Sequence, residues 1–186
     1  ISDIIEQKIK NNYSLNDVSI LVRAIYQTRE FEERFLQLGI GYRVLGGTKF
    51  YERAEIKDAV SYLRIINQKF DDLALERVMG APKRGIGEST LSQIHTFSKA
   101  NKLSLEDAIM KMLEKGEFKP KIKTSLNQLI NMIHKWRKDS ANLKHYDLLK
   151  LILDESGYSS MLKNKKDLEN ENRLENLKEL LRAMQD

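Results

Sequence analysis

The chain has 186 residues, 41% of them apolar and 32% charged. That is enough for one sizeable core, or for one domain joined to a piece of another, and it excludes a disordered chain. The absence of cysteine removes disulfides, thiolate metal sites and cysteine nucleophiles, and fits a reducing cytoplasm. No apolar run approaches the roughly 20 residues that a membrane span needs. The net charge of +5 is too modest to demand a polyanionic partner, but it is unevenly placed. Between Lys111 and Lys138 eight basic residues stand against two acids, Glu114 and Glu117, a surplus of six that leaves the remainder near −1. Such a run is either a solvated helix face or an electrostatic track for a phosphate backbone.

The chain opens on Ile1 with no charged segment ahead of an apolar core, so no secretory signal is read and an excised fragment is expected. Ser2 is placed to cap a first helix with Ile4, Ile5 and Ile9 on one side, ended by Asn11-Asn12. The β-branched run Val18 to Val22 reads as a buried parallel strand. Thr28 opens an amphipathic helix carrying Phe31, Phe35 and Leu38, stopped by Gly39, and Tyr42 to Leu45 reads as a second strand. Strand, helix and strand form one right-handed crossover unit. One such unit cannot cover both faces of its sheet, so further strands are expected outside the chain.

Gly46-Gly47 turns the backbone, and from Arg53 a helical pattern places Ile56, Ala59, Val60 and Leu63 on one stripe. Asp71-Asp72 caps a helix over Leu73 to Met79, which ends at Gly80 before Ala81-Pro82. Then come Lys83, Arg84, Gly85, Ile86, Gly87, Glu88, Ser89 and Thr90, followed by a helix over Leu91 to Ala100. Helix, Gly-Ile-Gly hairpin and helix is the layout of a helix-hairpin-helix reader of the DNA backbone. The first turn of a helix offers unpaired N–H groups and a partial positive charge. Glycines let a phosphate approach those donors, and Ile86 is expected to point inward and pin the hairpin. Lys83 and Arg84 supply mobile charge, and Ser89 and Thr90 supply hydroxyls. A bare turn is the plain alternative.

The remainder reads as helix after helix. Ser104 with Asp107 starts one that carries Leu105, Ala108, Ile109 and Met112 as far as Gly116. From Pro120 a long amphipathic helix follows, with Leu126, Leu129, Ile130, Ile133 and Trp136 turned to the core. His134 and His145 lack a second ligand at metal spacing and read as surface residues. Asp147 caps a further helix closed by Gly157, a polar connection runs from Asn164 to Glu171, and RLENLKELLRAM forms the last helix.

Several of these pieces resemble one family. YRVLGGTKFYERAEIKDAVSYLR, from Tyr42 to Arg64, resembles the segment of superfamily-one DNA helicases of the UvrD/PcrA/Rep group where the second RecA-like domain (2A) passes into an inserted helical subdomain (2B). SILVRAIYQTREFEE resembles the stretch that enters 2A, where a strand ends in an Arg-led loop near single-stranded DNA. Arg23, Gln27 and Arg29 stand at the matching positions, whereas Ile25 departs from the Asn usual there. Read from the residues alone, Arg23 and Arg29 equally suit helix capping or pairing with Glu32 or Glu33. Lys83 to Thr90 resembles the Gly-Ile-Gly motif of 2B, and LILDESGY and RLENLKELL also look like 2B.

The resemblance implies a mainly α chain, with a helical bundle-like 2B subdomain over 51–186 that contains the helix-hairpin-helix-like element. A small α/β, RecA-like tail of 2A over 1–50 precedes it. It implies a duplex-contacting, regulatory part of a cytoplasmic, ATP-dependent 3′-to-5′ helicase acting in unwinding and repair. Its partner is a DNA duplex or duplex–single-strand junction, held without sequence preference. The implied DNA contacts are Lys83, Arg84, Gly85, Ile86, Gly87, Ser89 and Thr90, with Arg23 and Arg29 toward the single strand. ATP and magnesium belong to the parent enzyme, because no GxxxxGK[ST] loop occurs here. No catalytic or metal-binding residue is assigned to this chain. Two other classes compete: a stand-alone helix-hairpin-helix domain, and a helical module docking repair or transcription proteins.

Overall fold

The computed structural model describes residues 1–164 and 167–185, among which no β-strand forms and helices carry the fold. The first, α1 (Ser2–Lys10), has Ile1 rather than Ser2 at its cap position and no side chain bonded there. Only Ile5 of its three isoleucines is buried, while Ile4 and Ile9 stay exposed. A 3₁₀ turn over Ile25–Thr28 leads into α2 (Arg29–Leu38), which Gly39 closes in the left-handed conformation. The two expected strands form no ladder, and Leu21 within the first is 95% exposed. A parallel strand is stabilised only by neighbours on its edges and by layers on its faces, and these segments have neither.

The helical body begins at α3 (Ala54–Asn67), with Arg53 in extended backbone just ahead of it. The helix buries Ile56, Ala59, Tyr62 and Ile65, whereas Val60 and Leu63 are half-buried. The buried stripe is therefore rotated from the expected one so that Tyr62 enters the core. Next come α4 (Asp72–Gly80), α5 (Glu88–Asn101), α6 (Leu105–Lys115), α7 (Pro120–Asp139), α8 (His145–Glu155), α9 (Tyr158–Asn164) and α10 (Leu168–Ala183). Helix α3 is the axis of the packing, in contact with α4, α7, α8 and α10.

The helix starts show how local chemistry and packing divide the work. Asp71 caps α4 by accepting the Ala74 N–H at 3.1 Å. Asp72 instead reaches across to accept the Leu105 N–H at 2.8 Å, so it caps α6 from a neighbouring helix. Ser104 takes the Asp107 N–H at 3.1 Å, and the two acceptors together satisfy donors that the first turn of α6 leaves open. Asp147 lies inside the first turn of α8, whose cap position is Lys144. Helix α9 was not expected, and α10 begins at Leu168 with Asp167 accepting the Asn170 N–H at 2.7 Å. Most of the expected polar connection is thus helical, and its residues 165 and 166 lie outside the described residues.

The core is built as the apolar spacing demands. Leu126, Leu129, Ile133 and Trp136 of α7 are fully buried, as are Ile94, Ile109 and Ile152 from three other helices. Each such side chain stabilises the fold by about 1.5–3 kcal/mol relative to exposure. Trp136 packs edge-on against Tyr62 at 5.9 Å, and Tyr62 packs edge-on against Tyr158 at 6.4 Å. The indole N–H of Trp136 donates to Glu155 at 2.8 Å, and Lys135 also pairs with that carboxylate. The hydrogen bond from Lys135 holds the Glu155 carboxyl below its ordinary range, against the opposing effect of burial. A depressed acid stabilises the fold above its unfolded-state value and loses that contribution as pH falls through the folded one. Trp136 fluorescence is accordingly expected to change during an acid titration starting just below the ordinary carboxylate range. Glu155→Gln should flatten that part of the titration, and an unaltered profile would remove Glu155 as its cause.

A buried polar hub ties the first 53 residues to the far end of the chain. The Arg53 guanidinium donates to Asn176 Oδ1 at 2.7 Å, to Ile25 O at 3.0 Å and to Thr28 Oγ1 at 3.0 Å. Asn176 in turn donates to Glu55 at 2.6 Å. Glu32 lies 3.8 Å from Arg53 and accepts from Tyr42 Oη at 3.1 Å and from the Phe50 N–H at 3.0 Å. Burial lowers the Arg53 pKa, and the attraction of Glu32 and Glu55 only partly offsets that.

Candidate nucleic-acid interface

The hairpin between α4 and α5 is exposed where a ligand would meet it and anchored where it would not. Gly85 has φ +75°, a conformation that a side chain strains. Gly87 is extended, at φ −93° and ψ 173°, and occupies the cap position of α5. Both glycines are exposed, and a Cβ placed on either would meet nothing within 4 Å. Among the described residues no acceptor takes the N–H of Gly85, Ile86 or Gly87. No side chain caps α5, and the Leu91 N–H is bonded back to Gly87 O at 3.1 Å. Backbone donors without an acceptor therefore lie at the positive end of a 14-residue helix.

The anchor is one buried tyrosine and one arginine. Tyr62, wholly buried, donates from its hydroxyl to Ala81 O at 2.8 Å and accepts from Arg84 at 2.9 Å. Arg84 also donates to Val78 O at 2.6 Å and to Pro82 O at 2.9 Å. Its charge thus sits over carbonyls at the C-terminal end of α4, where a helix favours a cation. The expectation of Arg84 as a mobile cation is corrected: its guanidinium is committed to holding the hairpin against the core. Ile86 is half-buried and packs on the core, as its position between the glycines predicts.

The flanking residues divide in the same way. Lys83 and Ser89 are exposed beside the glycines, whereas Thr90 is only 7% exposed. Glu88, at the first position of α5, is the one acid on this rim, and its charge favours the helix terminus while opposing an incoming phosphate.

Arg23 and Arg29 lie apart from the hairpin in the chain's first segment. Arg23 is exposed, and its loop is shaped by Gln27, which accepts the N–H groups of Arg23 and Ala24 at 3.1 Å each. Arg29 is 6% exposed and donates to Glu179 and to Glu33, both at 2.7 Å. Burial works against its charge, but the hydrogen bonds it donates to Glu179 and Glu33 prevail and raise its pKa. An arginine so enclosed is a tie between α2 and α10, which corrects the expectation of Arg29 as a free contact. Of the two pairings expected, Glu33 is the one formed. The basic run also separates: Arg137 is bound to Glu106 at 2.6 Å and Lys135 to Glu155, while Lys111, Lys115, Lys119, Lys121, Lys123 and Lys138 are exposed.

Sequence reasoning missed Tyr62 and the Arg53–Asn176 hub. Tyr62 stands three residues after Ala59 on the apolar face of α3, which marks it for burial but not for bonding Ala81 and Arg84. Arg53 and Asn176 are separated by 123 positions, and no local pattern joins them.

Comparison with known proteins places this geometry in context. The family model described as the UvrD-like helicase C-terminal domain matches residues 1–186. A probable DNA helicase II homolog from Rickettsia conorii is 41% identical over 175 residues, which cover 94% of this chain and 27% of the relative. The ATP-dependent DNA helicase PcrA of Staphylococcus epidermidis is 37% identical over 180 residues, covering 97% of this chain and 24% of the relative. The chain thus spans about a quarter of the length of the curated relatives it matches.

Proposed function

This chain belongs to the UvrD-like helicase C-terminal domain family, and we propose that within it residues 51–186 form the 2B-type helical subdomain that holds the DNA duplex of an ATP-dependent, 3′-to-5′ unwinding enzyme. Residues 1–50 are then the edge of the 2A motor domain. The names of the relatives, DNA helicase II and ATP-dependent DNA helicase PcrA, support that reading. ATP and magnesium are handled elsewhere in the full polypeptide, since this chain has no phosphate loop of its own. The reading includes action in the cytoplasm on DNA under repair. Among the described residues no helix is long and apolar enough to cross a membrane.

The observation that carries the proposal is the set of open amides at Gly85, Ile86 and Gly87, exposed at the start of α5 and flanked by Lys83 and Ser89. Backbone N–H groups at a helix start suit a phosphate oxygen, and they read no base, so the grip is independent of sequence. Arg84, Tyr62 and the side chain of Ile86 keep the donors aimed without themselves touching DNA. Replacing Lys83 by Ala in the full polypeptide should weaken binding to a duplex carrying a 3′ single-stranded tail. The slope of log affinity against log salt should fall by about one unit. A slope equal to that of the unaltered protein would refute the hairpin as a phosphate contact.

A further inference from the structure

The exposed side of α5 is made of polar and small residues. Ser89, Ser92, Gln93, Thr96, Lys99 and Ala100 recur at three- and four-residue spacing and are all exposed, so they form one continuous strip from the hairpin to the far end of the helix. After Glu88 the helix contains no acid. The strip is small and polar, and the Thr96 hydroxyl folds back onto Ser92 O at 2.8 Å. At its end the cations gather: Lys99 is exposed, Lys102 is exposed in the left-handed conformation, and Lys115 of α6 lies over the Phe97 ring at 5.0 Å. Among the described residues none of these three is in an ion pair, although Lys69, Lys135 and Lys178 each are. Glu114 and Glu117 are the exposed acids nearby in sequence.

We infer that α5 is a ruler along which the duplex lies, running from the hairpin at its start to a second phosphate contact made by Lys99, Lys102 and Lys115 at its end. The inference rests on the duplex-contact reading above and adds its direction and length. Fourteen residues of helix span about 20 Å, which is about six base pairs at 3.4 Å each. The strip carries no exposed aromatic or large aliphatic anchor of the kind that dominates a protein–protein interface. It does present small groups over which a sugar–phosphate backbone can pass closely, with positive charge at each end.

The test compares two hairpin duplexes with the same 3′ single-stranded tail, one of about four base pairs, too short for the ruler, and one of about twelve. Both are bound by the full polypeptide in its original form, as Lys83→Ala, and as Lys99→Ala/Lys102→Ala/Lys115→Ala. The triple variant should lose about two to three units of salt slope, with about tenfold or more in affinity, on the long duplex. It should match the original protein on the short one. Equal losses on both lengths would show the lysines acting only as a diffuse field and would overturn the ruler, as would no loss on either. Lys83→Ala should weaken both lengths alike. If it weakens both whatever the triple variant does, the duplex-contact reading stands apart from the ruler. If it weakens neither, the hairpin is no end point and both readings fall.

Discussion

Gly87→Asp is expected to leave the fold as stable as before, or slightly more so, and yet to lower duplex affinity at least about tenfold. Gly87 has the extended backbone that a capping residue adopts, and space lies open beyond its Cα. An aspartate there would accept N–H groups from the first turn of α5, and replacing glycine at such a cap is worth a few tenths of a kcal/mol in stability. The carboxylate would also set a negative charge beside the donors that a phosphate needs, and it would repel the phosphate. Tenfold corresponds to about 1.4 kcal/mol. Gly87→Ala separates the two effects, since it adds bulk without charge and should fall between. Thermal unfolding beside a binding titration checks both halves. A stable Gly87→Asp protein that binds duplex as tightly as the original would overturn the role of the hairpin.

The second large effect is expected at Arg53. Arg53→Met removes the partner of Asn176 Oδ1, of Ile25 O and of Thr28 Oγ1 at once, and it leaves Glu32 without its buried counter-charge. Breaking a buried charged network from one side costs about 3–5 kcal/mol, because the remaining polar groups stay desolvated and unmatched. That is a large fraction of the stability of an ordinary domain, so the urea midpoint should fall clearly at an unchanged slope. Arg53→Lys should recover little, since an ammonium cannot reproduce the planar fork that reaches three acceptors. A loss below about 1 kcal/mol for Arg53→Met would mean that the hub is solvated in solution rather than sealed.

The two substitutions separate what the molecule does from what holds it together. Gly87 is exposed and tolerant, so its replacement acts on the ligand. Arg53 is 6% exposed and bonded on several sides, so its replacement acts on the fold. Arg84 looks in the sequence like the first kind and proves to be of the second. Its neighbours Lys83 and Gly85 are exposed, but its guanidinium is spent on Val78 O, Pro82 O and Tyr62.

What the sequence determined by itself is whatever depends on spacing along a helix. The apolar face of α7, the Ser104 start of α6, the stops at Gly39 and Gly116 and the inward Ile86 all follow from periods of three and four residues and from local capping. The same reasoning identified the exposed glycine hairpin, because glycine, a following helix start and a preceding basic pair are neighbours in the chain. It erred over Val18–Val22 and Tyr42–Leu45, since β-branched runs become strands only where other strands pair with them. It also passed over α9, a seven-residue helix too short to show a period. Only the tertiary structure decided which charges are free. Arg29, Arg53, Arg84 and Arg137 are bound to groups on other elements or to helix-end carbonyls, while Lys83, Lys99 and Lys102 remain in solvent. A buried cation must be matched wherever the packed helices bring an acceptor, and that partner can be more than a hundred residues away.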